Sequence, residues 1–466
     1  MKVTLDFLAN AVQGELFGEG ALIVNFVSTD TRTMHEGNFY IPLIGERFDG
    51  HDFLADALQR GARAFLWQED HVLPDGFSSI PHIVVQDTLV ALQNMAHVYR
   101  KSLPVKVIAI TGSNGKTSTK DMVKSVLKTT YHIAATKGNL NNHVGLPLSI
   151  LAWSDDTEVA ILEMGMSALG EIKRLCEIAE PDIGIITNIG EAHIGLLGSR
   201  VAIASAKWEL IDALPKGGLA ILPANEPLLR NRVVPSDVRT IFVGDGEQTE
   251  MYCTNYIQKA DLSCQFTVLP EGNVVELSAP GRHQAQNALC ALVIADAFQV
   301  PKQTAIKAMR SVQLTQMRLE VNQVANDFTV INDAYNAAPA SVYAALDVLK
   351  DTGYDRLIFV FGDMLELGEH EKHFHEEIGR RLTHYGVTDV VTVGDLASLV
   401  LPFFAAKESH FIDFLCLSVS DVNLAKDTMF TMIQSYRQRG LTVAVLIKGS
   451  RKMRLEQLAQ QLVMLS

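Results

Sequence analysis

The sequence predicts an α/β protein of three domains. We expect a small N-terminal α/β domain, a central P-loop domain whose mostly parallel sheet has an antiparallel edge, and a C-terminal Rossmann-like α/β domain. Apolar runs typical of buried strands alternate with helical segments along the chain. One of these strands runs through a glycine turn into a helix, and 466 residues are typical of about three domains. The expected limits are 1–81, 82–313 and 314–466.

The composition limits the class of protein. Hydrophobic residues make up 48% and charged residues 20%, which is ordinary for a globular protein with large cores. The net charge of −13 argues against a broad nucleic-acid-binding surface. The cysteines lack C-x-x-C spacing, so they fit a reducing cytosol better than a disulfide framework or a zinc site. They are Cys176, Cys253, Cys264, Cys290 and Cys416.

The first sixteen residues predict an amphipathic helix. Asp6 and Glu15 and the lack of a small-residue cleavage site argue against a signal peptide. No apolar run approaches the length needed to span a membrane. We therefore expect a cytoplasmic protein, and we expect it to be a monomer.

In the N-terminal domain the opening helix is followed by a strand that ends in a polar turn (22–32). A second strand (38–45) and a helix, glycine turn and strand (52–67) come next. Polar residues gather at these strand ends, where ligands are often held; solvated loops are the alternative. They are Ser28, Thr29, Asp30, Arg32, Arg47, Asp49 and His51. A further strand and helix (82–103) lead into the central domain.

Residues 105–118 predict a phosphate-binding loop. A run of β-branched residues ends at Gly112 and Gly115 and continues into Lys116, Thr117 and the start of a helix. Glycines allow backbone N–H groups to approach phosphate oxygens, a lysine reaches the β- and γ-phosphates, and a threonine hydroxyl binds Mg²⁺. The strict P-loop pattern is not met, because Ile110 stands where its first glycine should be. The alternative is a plain glycine turn.

The central region alternates strands with helices, which predicts a parallel sheet with helices on both faces and a ligand edge at the carboxyl ends of the strands. The strands are expected at 105–110, 132–136, 159–164, 183–189 and 218–223. Three strand-like runs after residue 250 have short turns and predict the antiparallel edge. A helix with Arg282, His283 and Asn287 near its start follows.

From about residue 314 a third α/β unit begins. Strands that end in polar or glycine residues are expected at 328–333, 356–363, 390–395 and 441–450, with helices between them. The last helix carries an apolar face formed by Leu455, Leu458, Leu462 and Leu465. The sequence has no internal repeat, low-complexity tract or long disordered tail.

Polar residues follow three strands of the central unit. Thr117, Glu163 and His193 offer oxygen and nitrogen ligands for divalent cations. A lone Glu or His after a strand is usually a structural cap, but three of them beside a phosphate loop favour a metal and nucleotide site. Lys207 lies on a predicted helix soon afterwards. It could take part in the same site, or it could be an ordinary surface lysine of an amphipathic helix.

A set of motifs, in this order over the whole length, resembles the Mur ligases of bacterial cell-wall synthesis. The chain is most similar to the branch that joins D-alanyl-D-alanine to a UDP-N-acetylmuramoyl-tripeptide. One departure is Ala338, where family members commonly carry Asn in NDSYNANP. The motifs are STDTR (28–32), GERFDGHDF (45–53), TGSNGKTS (111–118), GNLNNHVGLPL (138–148), LEMGM (162–166), NIGEAHIGLLGS (188–199), AKWEL (206–210), HQAQNALCA (283–291), MRLE (317–320), NDAYNAAP (332–339), GDMLELG (362–368) and KGSR (448–451).

The resemblance implies ATP and two Mg²⁺ ions as cofactors. Lys207 would be carbamylated by CO₂ and become an oxygen ligand for the second ion, beside Thr117, Glu163 and His193. A free ammonium would repel the ions, whereas a carbamate is a hard oxygen donor. The ATP phosphates would be bound by Gly112, Ser113, Asn114, Gly115, Lys116, Thr117 and Ser118. Asn287 would contact adenine, and Arg318 and Asp333 the γ-phosphate region and the ribose.

The resemblance also implies where the two other substrates bind. The N-terminal domain would hold the UDP end, with Ser28 and Arg47 as contacts. The third domain, including Tyr335 and Asn336, would receive D-alanyl-D-alanine. The sugar-peptide part of UDP-N-acetylmuramoyl-tripeptide would meet three side chains of the GNLNNHVGLPL motif. These are Asn139, Asn141 and Asn142.

The implied reaction transfers the γ-phosphoryl group of ATP to the tripeptide carboxylate. The resulting acyl phosphate is attacked by the dipeptide amine, which gives UDP-N-acetylmuramoyl-pentapeptide, ADP and phosphate. Two anions must meet, so Lys116, Arg318 and two Mg²⁺ would offset their charge. The expected catalytic residues are Lys116, Glu163, His193, Lys207 and Arg318, and the sequence offers no convincing general base.

Several alternatives remain open. A neighbouring branch of the family adds the third amino acid, but its diaminopimelate-using members carry a DNPR motif that is absent here. Folylpolyglutamate synthases are more distant, because the STDTR domain is not expected in them. A P-loop NTPase switch would hydrolyse ATP without an amine, and a small-molecule kinase would release a phosphorylated product. Whether the third peptide residue is diaminopimelate or lysine is undecided.

Overall fold

The computed structural model describes residues 1–244, 249–405, 416–419 and 422–464. Its main sheets have five, nine and six strands and follow one another along the chain, with a separate two-stranded sheet near the N-terminus. Helices connect and cover the sheets. The predicted α/β class with three successive units is confirmed.

The first unit contains a five-stranded sheet of order β2-β7-β6-β5-β4 and a small sheet of β1 and β3. The segment predicted as one strand at 22–32 forms two strands that belong to different sheets. Strand β3 pairs with β1, whereas β4 pairs with β5. The strands are β1 Val3–Thr4, β2 Glu15–Phe17, β3 Ile23–Val24, β4 Phe26–Ser28, β5 Asn38–Tyr40, β6 Ala62–Gln68 and β7 His82–Val85. The helices are α1 Leu5–Val12, α2 Leu54–Gln59 and α3 Thr88–Ser102.

The central unit is a nine-stranded sheet of order β16-β15-β14-β13-β12-β11-β8-β10-β9. The strands are β8 Lys106–Thr111, β9 Ile133–Ala135, β10 Val159–Glu163, β11 Ile183–Ile186, β12 Leu219–Pro223, β13 Arg239–Gly244, β14 Met251–Gln258, β15 Cys264–Leu269 and β16 Asn273–Leu277. The helices are α4 Lys116–Leu127, α5 Gly145–Leu151, α6 Glu171–Ala179, α7 Ile194–Leu197, α8 Arg200–Asp212, α9 Pro227–Arg230, α10 Arg282–Ala297 and α11 Lys302–Met309.

The third unit is a six-stranded sheet of order β17-β18-β22-β19-β20-β21, parallel except for the pair β17 and β18. The strands are β17 Glu320–Ala325, β18 Phe328–Asp333, β19 Arg356–Gly362, β20 Asp389–Val393, β21 Cys416–Val419 and β22 Val443–Lys448. The helices are α12 Pro339–Asp351, α13 Glu371–Arg381, α14 Leu401–Ala405, α15 Val422–Gln438 and α16 Glu456–Val463.

The first sheet extends beyond residue 81. Strand β7 pairs in parallel with β6, so the predicted limit after residue 81 falls between two paired strands of one sheet. The domain limits themselves remain a prediction. In the last helix, Leu458 and Leu462 are fully buried as predicted, and Leu455 lies buried just before it. Leu465, the fourth predicted member of that face, lies outside the described residues.

Strand β8 is buried on both faces of the central sheet. Val107 and Ala109 belong to one hydrophobic core, and Ile108 and Ile110 belong to another on the opposite face. This explains the uninterrupted apolar run in the sequence, because a parallel strand covered on both sides has no polar face. The antiparallel edge is confirmed by the pairing of β15 with β14 and β16.

The order of the strands places a crevice after β8. Strand β10 lies on one side of β8 and β11 on the other, and all three run parallel. The chain continues from β8 to β9 on the β10 side and from β11 to β12 on the opposite side, which opens a crevice between the carboxyl ends of β8 and β11. Among the described residues, no helix is both long and apolar enough to cross a bilayer.

Candidate active site

The loop after β8 has the backbone of an anion cradle. Gly112 and Gly115 have φ angles of 148° and 82°, which side chains rarely tolerate, and a Cβ at Gly112 would overlap the Thr187 hydroxyl. Helix α4 begins at Lys116, with Gly115 at its N-cap and no side chain capping its first N–H groups. These groups are therefore available to an anion, and the dipole of the helix favours one there.

Residues 187–190 hold this loop in place. The Asn114 N–H donates to Asn188 Oδ1 at 2.9 Å, and Asn188 Nδ2 donates back to the Asn114 carbonyl at 3.0 Å. The Gly190 N–H donates to Ser113 Oγ at 2.9 Å. The loop is thus fixed by the end of a neighbouring strand before any ligand binds.

Lys116 lies folded over the loop. Its Nζ donates to the Gly112 carbonyl at 2.6 Å. Burial lowers the pKa of Lys116 to about 8; the negative charge of Glu163 opposes this shift, and the positive charge of Arg318 adds to it. A phosphate would replace the carbonyl as the partner of this ammonium and would restore its charge.

Thr117 and Glu163 form an oxygen-rich pair at the ends of α4 and β10. The Thr117 hydroxyl donates to Glu163 Oε2 at 3.1 Å, and both residues are 2% exposed. Lys120 Nζ lies 3.2 Å from Glu163 Oε1, although that oxygen accepts no well-aligned hydrogen bond from the described residues. The Thr117 hydroxyl and a Glu163 oxygen without a hydrogen-bond partner among the described residues suit Mg²⁺, which prefers hard oxygen ligands.

His193 faces a carboxylate of the third domain. Its Nδ1 lies 2.9 Å from Glu366 Oε2, and the Gly195 N–H donates to the Glu366 carbonyl at 3.1 Å. The contact with His193 lowers the pKa of Glu366. In this arrangement one ring nitrogen of His193 is engaged across the interface between the second and third domains.

Lys207 is buried on α8, with 2% of its surface exposed. Burial, and then the charge of Lys116, lower its pKa well below the usual value. No carboxylate in the described part of the chain lies within ion-pair distance of its amine. A surface lysine is therefore excluded. CO₂ reacts with the uncharged form of an amine, which a lowered pKa favours, so the residue fits the expected carbamate.

The third domain contributes a second group of charges. Arg318 lies 4.1 Å from the centre of the Tyr335 ring, and its buried Nε has no hydrogen-bond partner among the described residues. Asp333 accepts a hydrogen bond from the Leu319 N–H at 3.0 Å and forms an ion pair with Lys448. Arg318 lines the same cavity as the phosphate loop, and a guanidinium there is suited to a ligand anion.

One cavity of about 720 Å³ joins these groups. It is lined by both the central and the third domain, and it contains most of the predicted site residues. Those lining it are Ser113, Asn114, Gly115, Lys116, Thr117, Ser118, Asn139, Asn141, Asn142, Glu163, His193, Asn287, Arg318, Asp333, Tyr335 and Asn336. Gly112, Lys207, Ser28 and Arg47 do not line it.

Comparison with known proteins decides the family. The family model "Mur ligase family, catalytic domain" matches residues 23–110, "Mur ligase middle domain" matches 110–295, and "Mur ligase, glutamate ligase domain" matches 317–451. The chain belongs to the Mur ligase family. The resemblance drawn from the sequence motifs is thereby confirmed.

Individual Mur ligases match over nearly the full length. The UDP-N-acetylmuramoyl-tripeptide--D-alanyl-D-alanine ligase of Bacillus subtilis is 38% identical over 99% of both chains. A crystal structure of MurF from Acinetobacter baumannii has a TM-score of 0.90 at 30% identity and covers 100% of this chain and 99% of its own. The MurF ligase of Thermotoga maritima, solved in complex with ADP, has a TM-score of 0.81 at 27% identity and covers 95% of this chain and 97% of its own.

Some predicted site residues of this Mur ligase have structural partners. Asn142 Oδ1 accepts hydrogen bonds from Val144 and Gly145 at the start of α5, at 3.2 and 2.8 Å. Asn287 lies against the phosphate loop, because a Cβ at Gly115 would come within 2.8 Å of its Oδ1. These contacts leave the proposed roles of both residues in substrate and adenine binding untested.

The two predicted contacts of the first domain lie apart from the cavity. The Ser28 hydroxyl is buried and bonds to Thr33 Oγ1 and to the Asp30 carbonyl, each at 3.0 Å. Arg47 is exposed on the loop after β5. Ser28 is the last residue of β4, and Arg47 follows β5 of the same sheet. Their roles in substrate binding remain a prediction.

Sequence reasoning missed three charged residues of this Mur ligase site. Glu366 lies in the GDMLELG motif, which was expected to receive the dipeptide, and Lys448 lies in the KGSR motif, but neither residue was given a role of its own; Lys120 was not singled out. Lys120 follows Lys116 by four residues, and that spacing alone places the two on one face of α4. Ala338, the departure from the family pattern, is the N-cap of α12, where Asn would be a capping residue.

Proposed function

We propose that this Mur ligase uses ATP to join D-alanyl-D-alanine to UDP-N-acetylmuramoyl-tripeptide, through an acyl phosphate, and so forms UDP-N-acetylmuramoyl-pentapeptide, ADP and phosphate. The observation that carries the proposal is the cavity in which an anion-binding loop faces residues of the third domain. Relatives that match over almost the whole chain are named for this reaction. The enzyme would act in the cytoplasm, as a monomer, in peptidoglycan precursor synthesis.

The residues of the phosphate loop would hold ATP in a position to react. The N–H groups around Gly115 would bind phosphate oxygens, and Lys116 would exchange its bond to the Gly112 carbonyl for one to a phosphate. Arg318 would meet the same phosphates from the third domain, because it lines the same cavity. Two cations from separate domains would thus offset the repulsion between ATP and the substrate carboxylate.

Mg²⁺, when bound, would neutralise the charge that develops on the transferred phosphoryl group. Thr117 and Glu163 would hold one ion through their oxygen atoms, and His193 together with a carbamylated Lys207 would bind the second. His193 would exchange its contact with Glu366 for the ion. Lys207 suits carbamylation because it is buried, carries a lowered pKa and has no acidic partner among the described residues.

The other substrates would be divided between the outer domains. The loops that carry Ser28 and Arg47 would bind the UDP end, and the three asparagines of 139–142 the sugar-peptide part. The third domain, through Tyr335 and Asn336, would present the dipeptide amine to the acyl phosphate. In the predicted division of the chain, residues 1–81 would bind the UDP end, residues 82–313 ATP and residues 314–466 the dipeptide.

Phosphate release with each substrate omitted in turn tests the proposal. The positions of the phosphate loop and the third domain predict fast release only with ATP, UDP-N-acetylmuramoyl-tripeptide and D-alanyl-D-alanine together, since the attacking amine must be held beside the acyl carbon. Single D-alanine should substitute poorly. Release that is indifferent to the dipeptide would favour an ATPase switch, and activity with UDP-N-acetylmuramoyl-dipeptide and a free amino acid would favour the neighbouring branch.

Hydroxylamine provides a test of the acyl phosphate. With the dipeptide omitted, it should trap an activated tripeptide carboxylate as a hydroxamate. Hydroxamate should depend on ATP and be absent from a control without enzyme. Amide formation from all three substrates without any hydroxamate would contradict an acyl phosphate formed before the amine binds.

A further inference from the structure

A cluster of metal-ligand side chains lies in the first domain, apart from the cavity described above. Asp49, His51 and His71 each offer one ligand atom, and these atoms lie within 4.8 Å of one another. Asp49 and His51 belong to the connection after β5, and His71 follows β6. Because β5 and β6 are adjacent and parallel, both connections leave from the carboxyl edge of one sheet.

Two imidazole nitrogens face the two oxygens of one carboxylate. His51 Nδ1 lies 2.6 Å from Asp49 Oδ1, and His71 Nε2 lies 2.9 Å from Asp49 Oδ2. The two rings are stacked, with centroids 4.0 Å apart and planes at 20° to each other. Three potential metal-ligand atoms from two connections therefore lie within 4.8 Å of one another, although His51 and His71 are twenty residues apart in sequence.

We propose that Asp49, His51 and His71 form a binding site for a divalent transition metal of the zinc class. Two imidazoles and one carboxylate are a ligand set that suits Zn²⁺, and a site with three protein ligands leaves a fourth position for water. The side chain of His51 is 4% exposed, whereas those of Asp49 and His71 are 31% and 25% exposed. The cluster is thus open to solvent on one side only.

Asp70 contacts the ring nitrogen of His71 that faces away from Asp49. Its Oδ1 lies 2.5 Å from His71 Nδ1, the ring nitrogen that does not face Asp49. A carboxylate on the far nitrogen of a metal-binding histidine fixes the tautomer that presents the other nitrogen to the metal and makes it more basic. Asp70 would act in this way on His71 and would not itself contact the ion.

The geometry needs only a small adjustment to accept an ion. Ligand atoms about 2.0–2.1 Å from a tetrahedral Zn²⁺ are roughly 3.3 Å apart. The two contacts with Asp49, at 2.6 and 2.9 Å, are hydrogen-bond distances and would each open by less than about 1 Å. The remaining ligand-atom separation is at most 4.8 Å and would close by less than about 2 Å. His71, whose side chain is 25% exposed, has more room for this movement than His51, whose side chain is 4% exposed.

A network of hydrogen bonds is the alternative, since Asp49 Oδ1 also accepts the His51 N–H at 2.9 Å. That network would explain the placement of Asp49 and His51 but not why His71, aligned by Asp70, faces the same carboxylate. A bound metal ion would link the connection after β6 to the connection after β5, which also carries Arg47. The site is independent of the proposed ligase reaction, and metal binding tests it without any assay of activity.

The test is equilibrium dialysis of the chelator-treated full chain against Zn²⁺ in the presence of excess Mg²⁺. We expect the wild type to bind one more equivalent of zinc than His71→Gln. We also expect Co²⁺ to give a visible absorption band with the wild type that the variant lacks. Asp70→Asn should bind zinc 10–100-fold more weakly, as is typical when the outer partner of a metal-binding histidine is removed.

His132→Gln is the matched control. His132 forms a comparable pair with Asp156, at 2.9 Å, but belongs to no third-ligand cluster among the described residues. Its zinc binding should equal that of the wild type. Zinc should also raise the melting temperature of the wild type and not that of His71→Gln, whose melting temperature without zinc shows that it is folded. Equal zinc binding by wild type and His71→Gln, or no binding by either, would overturn the proposal.

Discussion

At the scale of single residues, Lys116 is a half-buried lysine whose positive charge depends on the pH and on a bound partner. Lys116→Ala should lower turnover about 10²–10³-fold, because a pre-positioned charge contributes that much to such a transfer. Lys124→Ala, an exposed lysine of the same helix, is the control and should have little effect. Near-normal turnover of a folded Lys116→Ala protein would contradict the phosphate-binding role of the loop.

The lowered pKa of Lys116 predicts a pH dependence for nucleotide binding. Below its pKa of about 8 the ammonium is charged and attracts phosphates; above it the charge is lost. The dissociation constant for ADP without Mg²⁺, measured by calorimetry, should therefore rise as the pH passes through 8, approaching roughly tenfold per unit. Lys116→Arg should remove this dependence, because arginine stays charged over the whole range. A flat profile for the wild type would show that the free lysine keeps its charge.

Lys207 should be required for activity if it acts as a carbamate. Lys207→Ala should be inactive, and formate could partly restore turnover by filling the vacant oxygen site. Removing CO₂ from the buffer should also lower wild-type activity until bicarbonate is added. Lys173→Ala, an exposed lysine of α6, is the control. A fully active Lys207→Ala enzyme would contradict any role in metal binding, whereas failure of formate alone would not.

Sequence could predict the residues whose role follows from local spacing. The glycine turn and the strand end placed Lys116, Thr117 and Glu163 at one site, since Lys116 and Thr117 follow β8 through that turn and Glu163 ends the neighbouring strand β10. The burial of Lys207 could not be predicted, because it depends on how α8 packs against other elements. Glu366 meets His193 across more than 170 residues of chain, and no local pattern reveals such a contact.

At the scale of secondary-structure elements, the start of α5 depends on Asn142. Its side chain accepts the N–H groups of Val144 and Gly145, so Asn142→Ala should lower the free energy of unfolding by about 1 kcal/mol. Chemical denaturation measures this, and Asn139→Ala, an exposed residue of the same loop, is the control. An unchanged stability together with a raised KM would mean that Asn142 serves the substrate alone.

Most strands could be predicted, but β1, β2, β13, β17 and β21 were missed, the first two because residues 1–16 were predicted to be helical throughout. Strand β17 lies at the edge of the third sheet and pairs only with β18. Its sequence, EVNQVA, has few apolar residues, because an edge strand packs less of its surface against the core. Strands of this kind are defined by their partner rather than by their own pattern, so periodicity in the sequence is a weak guide to them.

At the scale of the whole molecule, the second and third domains meet at two glycines. A Cβ on Gly195 would come within 2.5 Å of the Gly368 backbone nitrogen. Gly195→Ala should therefore separate the domains, move Arg318 away from the phosphate loop and lower turnover. Leu196→Ala, which alters an exposed neighbour, is the control and should leave turnover unchanged.

Small-angle scattering tests the effect of this contact through the radius of gyration of the protein. An ATP analogue together with UDP-N-acetylmuramoyl-tripeptide should reduce the radius of gyration of the wild type, since ligand favours the closed form by binding it better. Gly195→Ala should keep the larger radius. An unchanged wild-type radius would mean that the enzyme is already closed without ligand. Equal radii and equal turnover of variant and wild type would contradict the importance of this contact.

The arrangement of domains was beyond sequence reasoning. The alternation of strands and helices predicted three units, because it reflects contacts between neighbouring elements. The contact between α7 and the segment around Gly368 joins residues that are far apart in sequence and lie in different sheets. Its position depends on the surfaces of both domains, which exist only after each has folded.

Mass spectrometry of the product tests the central claim most directly. The full chain is incubated with UDP-N-acetylmuramoyl-tripeptide, ATP, Mg²⁺ and D-alanyl-D-alanine, and the nucleotide product is isolated. The proposed function predicts a UDP-N-acetylmuramoyl-pentapeptide, heavier than the tripeptide substrate by one dipeptide less one water, formed with one ADP per amide bond. ADP and phosphate accompanied by unchanged tripeptide substrate would contradict it.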